Sequence, residues 1–128
     1  EFTLRELIDF HFRFKFRIQG LSDAELMELS GLLPHAEKVV RYFSSGMKQR
    51  LRLLLAFCSD TPLLVLDEPC SNLDQDAIQW YGRMAERFTF DRTVIVGSNR
   101  QEPEYAFCNR QVELSQWKFQ IPEKIASV

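Results

Sequence analysis

The chain has 128 residues, 45% of them hydrophobic and 27% charged, which is enough for one ordinary core or two small subdomains. A net charge of −2 and the lack of any long basic run speak against nucleic acid as a partner. No apolar run reaches the ~20 residues of a membrane span, and three cysteines, Cys58, Cys70 and Cys108, fit neither a paired disulfide framework nor a zinc site, which points to a reducing, cytoplasmic setting.

The first residues, EFTLREL, carry no initiator Met and enter a patterned segment at once, the look of a chain cut from something longer. Leu4, Leu7, Ile8, Phe12 and Phe16 recur at helical spacing, whereas FHFRFKFRI alternates apolar and polar with the period of a strand. Leu4 to Ile8 does not alternate, so a helix over residues 3–16 is expected, its phenylalanines in the core and its basic residues snorkelling. LSDAELMEL reads as a helix start: Ser22 caps it, Glu25 completes a capping box, and Leu21 against Leu26 makes a hydrophobic staple. Gly31 and Pro34 end that helix. A third helix is expected from about Ser45 to Ser59, with Met47, Leu51, Leu54, Leu55 and Cys58 on one face and Lys48, Arg50 and Arg52 on others. His11 and His35 lie far in sequence from any motif and read as solvated or packed residues.

From Leu63 the pattern changes to short apolar runs separated by helical stretches. Leu63–Leu66, between Pro62 and Pro69, reads as a buried central parallel strand. Asp74 can cap a helix carrying Ala77, Tyr81, Met84, Ala85 and Phe88, and Thr93–Val96 reads as a second buried strand. A short helix over Pro103–Cys108, a third strand over Gln111–Leu114, and an edge strand plus tail from Gln116 complete the expected order. Strand, helix, strand, helix, strand argues for an α/β class with a mostly parallel sheet.

Two stretches carry the chemistry. Ser44, Ser45 and Gly46 open a helix, where unpaired N–H groups and the positive end of the helix dipole favour an anion and glycine allows it close. Asp67 and Glu68 end the first strand, where one carboxylate can take Mg²⁺ through its water shell and the other can polarise an attacking water. No G-x-x-x-x-G-K-[ST] or G-x-G-x-x-G run occurs among these residues to cradle phosphates.

The ordered trio FSSGMKQR, LLVLDEP and SNLD resembles the carboxyl-terminal half of an ATP-binding cassette (ABC) transporter ATPase, over about Thr3 to Leu114. The resemblance implies a partial P-loop NTPase core with a mostly parallel sheet over residues 61–128 and an α-helical subdomain over residues 1–60. It implies that Ser44, Ser45, Gly46 and Met47 are the signature motif, which grips the γ-phosphate of an ATP held by the opposite subunit. Asp67 is then the magnesium residue and Glu68 the catalytic base of the Walker B motif, and Ser71, Asn72, Leu73 and Asp74 the loop by which two subunits sense each other. Phe43, Ser45 and Met47 stand where Leu, Gly and Gln are commoner, a form similar to exporter-type cassettes. Asn99, after Ser98, stands where the family has a histidine on the γ-phosphate; an amide donates a hydrogen bond but carries no proton or charge.

The resemblance thus implies a truncated cassette. The parent, with ATP and Mg²⁺ and as a dimer with a second ABC ATPase subunit, hydrolyses ATP to drive a membrane permease. It sits in the cytoplasm at the inner face of the cell membrane, while this chain alone is expected to be inactive. Two alternatives stay open. One is a regulatory, low-turnover subunit that clamps nucleotide, which Asn99 favours and Glu68 opposes; the other is a soluble ABC protein acting on chromosomes or ribosomes, the chromosome type being disfavoured by the lack of heptads before Phe43.

Overall fold

The computed structural model describes residues 1–116. Helices α1 (Leu4–Phe14), α2 (Asp23–Ser30) and α3 (Ser45–Cys58) come first, followed by β1 (Leu63–Asp67), α4 (Gln75–Phe88), β2 (Thr93–Gly97) and the short α5 (Glu102–Tyr105). This is the expected α/β class: β1 and β2 pair in parallel through the α4 crossover, in a register that sets Val65 against Ile95 and Asp67 against Gly97.

Each long helix starts on a side-chain cap. Thr3 and Ser22 form reciprocal capping boxes with Glu6 and Glu25, Ser44 Oγ accepts from the Met47 N–H, and Asp74 Oδ1 accepts from the Ala77 N–H. Gly31 ends α2 at φ 63°, a left-handed value that glycine adopts without penalty. It is also pressed by its neighbour, since a Cβ there would lie 2.5 Å from Arg50 Nη2.

One core joins the helices to the inner face of the sheet. Leu4, Ile8, Leu26, Leu54, Phe57, Leu64, Leu66, Tyr81 and Met84 belong to a single buried cluster. Arg50 and Arg92 serve this core rather than the solvent. The Arg50 guanidinium lies 4.6 Å from the Trp80 ring centroid, and Arg92 donates to the Phe57 carbonyl oxygen at 3.0 Å and to Thr61 Oγ1.

Four expectations are corrected. First, α1 stops at Phe14, and Phe16 to Ile18 run extended alongside the end of α3, with Asp60 N–H donating to the Phe16 carbonyl and Ile18 N–H to the Cys58 carbonyl. Both periodicities in FHFRFKFRI were therefore real, one after the other. Second, the phenylalanines of this stretch are largely outside the core: Phe10, Phe14 and Phe16 are 43%, 74% and 85% exposed, since Leu4 and Ile8 occupy the inward face of α1 and Phe16 lies beyond it in the extended segment. Third, the strands are buried on one face only. Leu64 and Leu66 face the core while Leu63, Val65 and Ile95 are about half exposed, since among the described residues no element packs over that side; an uninterrupted apolar run does not reveal which face is covered.

Fourth, Gln111–Leu114 is not a strand. The segment is exposed and extends to a 3₁₀ turn at Leu114–Gln116, held to the loop after β2 by an ion pair of Glu113 with Arg100 at 2.9 Å. Among the described residues it pairs with no strand, and apolar alternation does not make a strand without a ladder. The short helix expected over Pro103–Cys108 is α5, three residues shorter at its end and one residue earlier at its start. The expected edge strand and tail beyond Gln116 lie outside the described residues.

Candidate nucleotide site

The carboxyl ends of β1 and β2 define the site, as expected for the ligand-binding edge of an α/β sheet. Asp67 and Glu68 are both exposed there. Gly97, opposite Asp67 in the register, leaves it room: a Cβ on Gly97 would lie 2.9 Å from Asp67 Oδ1. Glu68 N–H donates to the Gly97 carbonyl at 2.8 Å, so the parallel ladder continues one residue beyond the strand. Glu68 itself sits at φ 42°, a left-handed conformation that costs a non-glycine residue on the order of 1–3 kcal/mol and clusters at functional sites. The turn it starts is closed by Ser71, whose N–H donates to the Glu68 carbonyl at 3.0 Å and whose hydroxyl reaches Glu68 Oε2 at 3.4 Å.

Ser44–Met47 forms a second group. Ser44 and Ser45 are exposed, and Gly46 and Met47 are half-buried, at the first turn of α3. The Met47 amide is taken by Ser44 Oγ at 3.2 Å. Among the described residues the N–H groups of Ser45 and Gly46 have no partner, as is usual for the first residues of a helix. Gly46 abuts the loop after β1, for a Cβ there would lie 2.8 Å from the Asn72 carbonyl oxygen. Between the two lies a cleft of about 290 Å³ lined in part by Ser45, Gly46, Arg50, Asn72 and Asp74. Burial pulls the Arg50 guanidinium down from its ordinary pKa, and the nearby Asp74 carboxylate opposes that shift.

The structure therefore brings Ser44, Ser45, Gly46 and Met47 together with Asn72 and Asp74, and Asp67 and Glu68 together with Ser71. The loop over residues 69–74 joins the two groups. Asn99 is exposed two residues beyond β2, at the same sheet end as Asp67; its neighbour Ser98 accepts from the Gln101 N–H at 3.1 Å, closing the turn that carries it. His11 and His35 stay apart from the site, His11 Nε2 being 3.1 Å from Ser59 Oγ and His35 packed edge-on to Phe43.

Two residues were missed. Glu104, in the first turn of α5, is fully buried and its Oε1 accepts from the Cys70 N–H at 3.0 Å. Gln49 Nε2 donates to the Pro69 carbonyl at 3.0 Å. EPEY reads as an exposed acidic first turn, and nothing in its spacing signals burial; Gln49 had a weak signal, lying one turn along the helix from Ser45.

A family model described as "ABC transporter" matches residues 14–71. Nod factor export ATP-binding protein I of Burkholderia orbicola (strain AU 1054) is 33% identical over 115 residues, covering 86% of this chain and 38% of that protein. The chain belongs to the ABC transporter ATP-binding family. The uncharacterized ABC transporter ATP-binding protein YclH of Bacillus subtilis (strain 168) is likewise 33% identical over 95 residues, covering 73% of this chain and 42% of that protein. A solved ATP binding subunit of an ABC transporter superimposes with a TM-score of 0.67 at 26% identity, over 84% of this chain and 47% of that one. The chain thus spans less than half the length of each of these ABC relatives. ABC ATPases bind ATP with Mg²⁺, and the donors here fit both. Asp67 offers a hard, exposed oxygen with open space secured by Gly97, and the first turn of α3 offers free N–H groups to a phosphate.

Proposed function

We propose that this chain supplies part of each of two composite ATP sites in a dimer, and that the full-length protein hydrolyses ATP to drive a membrane permease. Residues 1–60 serve as the helical subdomain and residues 61–128 as the second half of the ATPase core. The observation that carries the reading is the setting of Glu68: exposed at the carboxyl end of a parallel strand, beside Asp67, in a left-handed backbone held by Gly97 and Ser71.

In this reading Asp67 takes the magnesium through its water shell, and when bound the ion offsets the charge on the transferred phosphoryl group. Glu68 orients the attacking water and accepts its proton. Ser44, Ser45, Gly46 and Met47 meet the γ-phosphate of a nucleotide held by a second ABC ATPase subunit, with Asp74 and the loop before it at the same junction. Asn99, at the same sheet end as Asp67 and Glu68, donates as an amide to the γ-phosphate of the nucleotide that those two residues serve. The cradle for the β- and γ-phosphates comes from outside residues 1–128, so this chain alone neither binds MgATP tightly nor turns it over. No described helix is long and apolar enough to cross a membrane, which suits a subunit that reaches the inner face of the membrane through its permease. Export is the favoured direction, on the form of the signature and the export proteins among the relatives.

ATP turnover by the full-length protein, compared with Glu68→Gln, tests this. The reading requires a fall of about 10²–10⁴-fold; equal rates would remove Glu68 from the mechanism. The second reading, a subunit that clamps nucleotide without turnover, is favoured by Asn99. It requires tight MgATP binding by the full-length protein with turnover already at the level of Glu68→Gln.

A further inference from the structure

The peptide group between Pro69 and Cys70 is held at both ends by side chains. Its carbonyl oxygen accepts from Gln49 Nε2 at 3.0 Å, and its N–H donates to Glu104 Oε1 at 3.0 Å. Pro69 and Cys70 are buried, so either group left without a partner would be costly. Because a peptide unit is planar and stiff, turning it to loosen one bond loosens the other. Polarisation along the chain of bonds adds to the coupling.

The two holders come from the two other parts of the site. Gln49 is on α3, one turn beyond Ser45, and Glu104 is five residues after Asn99. Glu68 immediately precedes the held peptide, and Asn72 and Asp74 follow it. Glu104 is itself fixed, its backbone carbonyl accepting from the Tyr81 hydroxyl at 2.8 Å. Its other oxygen, Oε2, is buried with no partner among the described residues. A carboxylate kept in the interior with half its hydrogen-bonding capacity unused is an expensive way to fill space, and calls for a role.

We infer that the Pro69–Cys70 peptide is the point through which the signature turn and the Asn99 loop set the position of Glu68, and that Gln49 and Glu104 are positioning residues for hydrolysis. The inference rests on the ATPase reading above. It assigns no contact with substrate to either side chain. Misplacing a reacting group by about 1 Å can lower a rate by about 10²-fold, so the effect belongs on kcat rather than on nucleotide affinity.

Two readouts test it. Amide exchange at Cys70, followed by NMR on this chain, is expected to accelerate about tenfold or more in Gln49→Leu, although the Glu104 bond to that N–H is untouched; unchanged exchange overturns the coupling. In the full-length protein, Gln49→Leu is expected to lower kcat about 10–100-fold with KM for MgATP within about twofold. Unchanged kcat overturns the positioning role. Glu104→Gln keeps an acceptor oxygen and should retain most of the protection and the rate lost in Glu104→Ala; equal loss in both overturns Glu104 as the acceptor. Should Glu104→Ala fail to fold, the Gln49→Leu results decide. If Glu68→Gln leaves turnover unchanged, the ATPase reading falls, while exchange at Cys70 still decides the coupling.

Discussion

Gly46 and Asn72 meet so closely that a Cβ on Gly46 would lie 2.8 Å from the Asn72 carbonyl oxygen. The first turn of α3 and the loop after β1 are thereby locked at one distance, with backbone on both sides of the contact and no flexible side chain to give way. Gly46→Ala is expected to destabilise the chain by about 1–3 kcal/mol. Gly82→Ala is the control, because a Cβ there meets nothing within 4 Å and the site is inside α4; it should stabilise by about 0.4–1 kcal/mol. Urea midpoints of the two variants against the parent check the opposite signs.

Asn99 stands at the same sheet end as Asp67 and Glu68 and is exposed. Its amide donates a hydrogen bond but cannot carry a proton, whereas an imidazole can do both. Asn99→His in the full-length protein is therefore expected to raise ATP turnover by about tenfold or more, with the gain concentrated below pH ~7, where the introduced histidine is charged. A steady-state rate across pH 6–8 checks it; no gain at any pH would mean that hydrolysis does not draw on this position.

The thiols give a pH-dependent expectation. Burial pushes Cys58 from its ordinary 9.0 up to about 12, and burial together with the Glu104 carboxylate pushes Cys70 up to about 11. Both are raised in the folded chain, so the protonated thiol favours folding. That stability is fully present below pH ~8.5 and is lost as pH rises toward 11–12, because the unfolded chain releases those protons first. Denaturant midpoints from pH 7 to 10.5 should fall on the alkaline side. Only thiolates react, so at pH 8 a thiol reagent should modify the half-buried Cys108 alone and reach Cys58 and Cys70 only after unfolding.

Much of the site was legible because it is local. Capping chemistry at Ser22 and Asp74, the abrupt end of an apolar run at Asp67, and a glycine one residue into a helix at Gly46 each depend on neighbours within a few residues. What escaped depends on distant partners. Glu104 is buried because Cys70 and Tyr81 come to it from 34 and 23 residues away, and no spacing rule contains that. The same reason explains Val112 and Leu114, whose alternation promised a strand but which found no ladder and stayed exposed. Phe14 misled in the other direction, since a helix has one inward face and Leu4 and Ile8 had already taken it, and Phe16 lies past the helix altogether.

Asp67 and Glu68 are proposed to belong to a nucleotide site whose phosphate cradle lies outside residues 1–128, while the first turn of α3 serves the nucleotide of a second subunit. Titration calorimetry of this chain with MgATP tests it most directly. The expected result is no saturable heat at micromolar concentrations, since neither a backbone nest nor a lysine on the β- and γ-phosphates is available. Micromolar affinity, lost in Asp67→Asn, would contradict the claim and mean that residues 1–128 hold nucleotide by themselves.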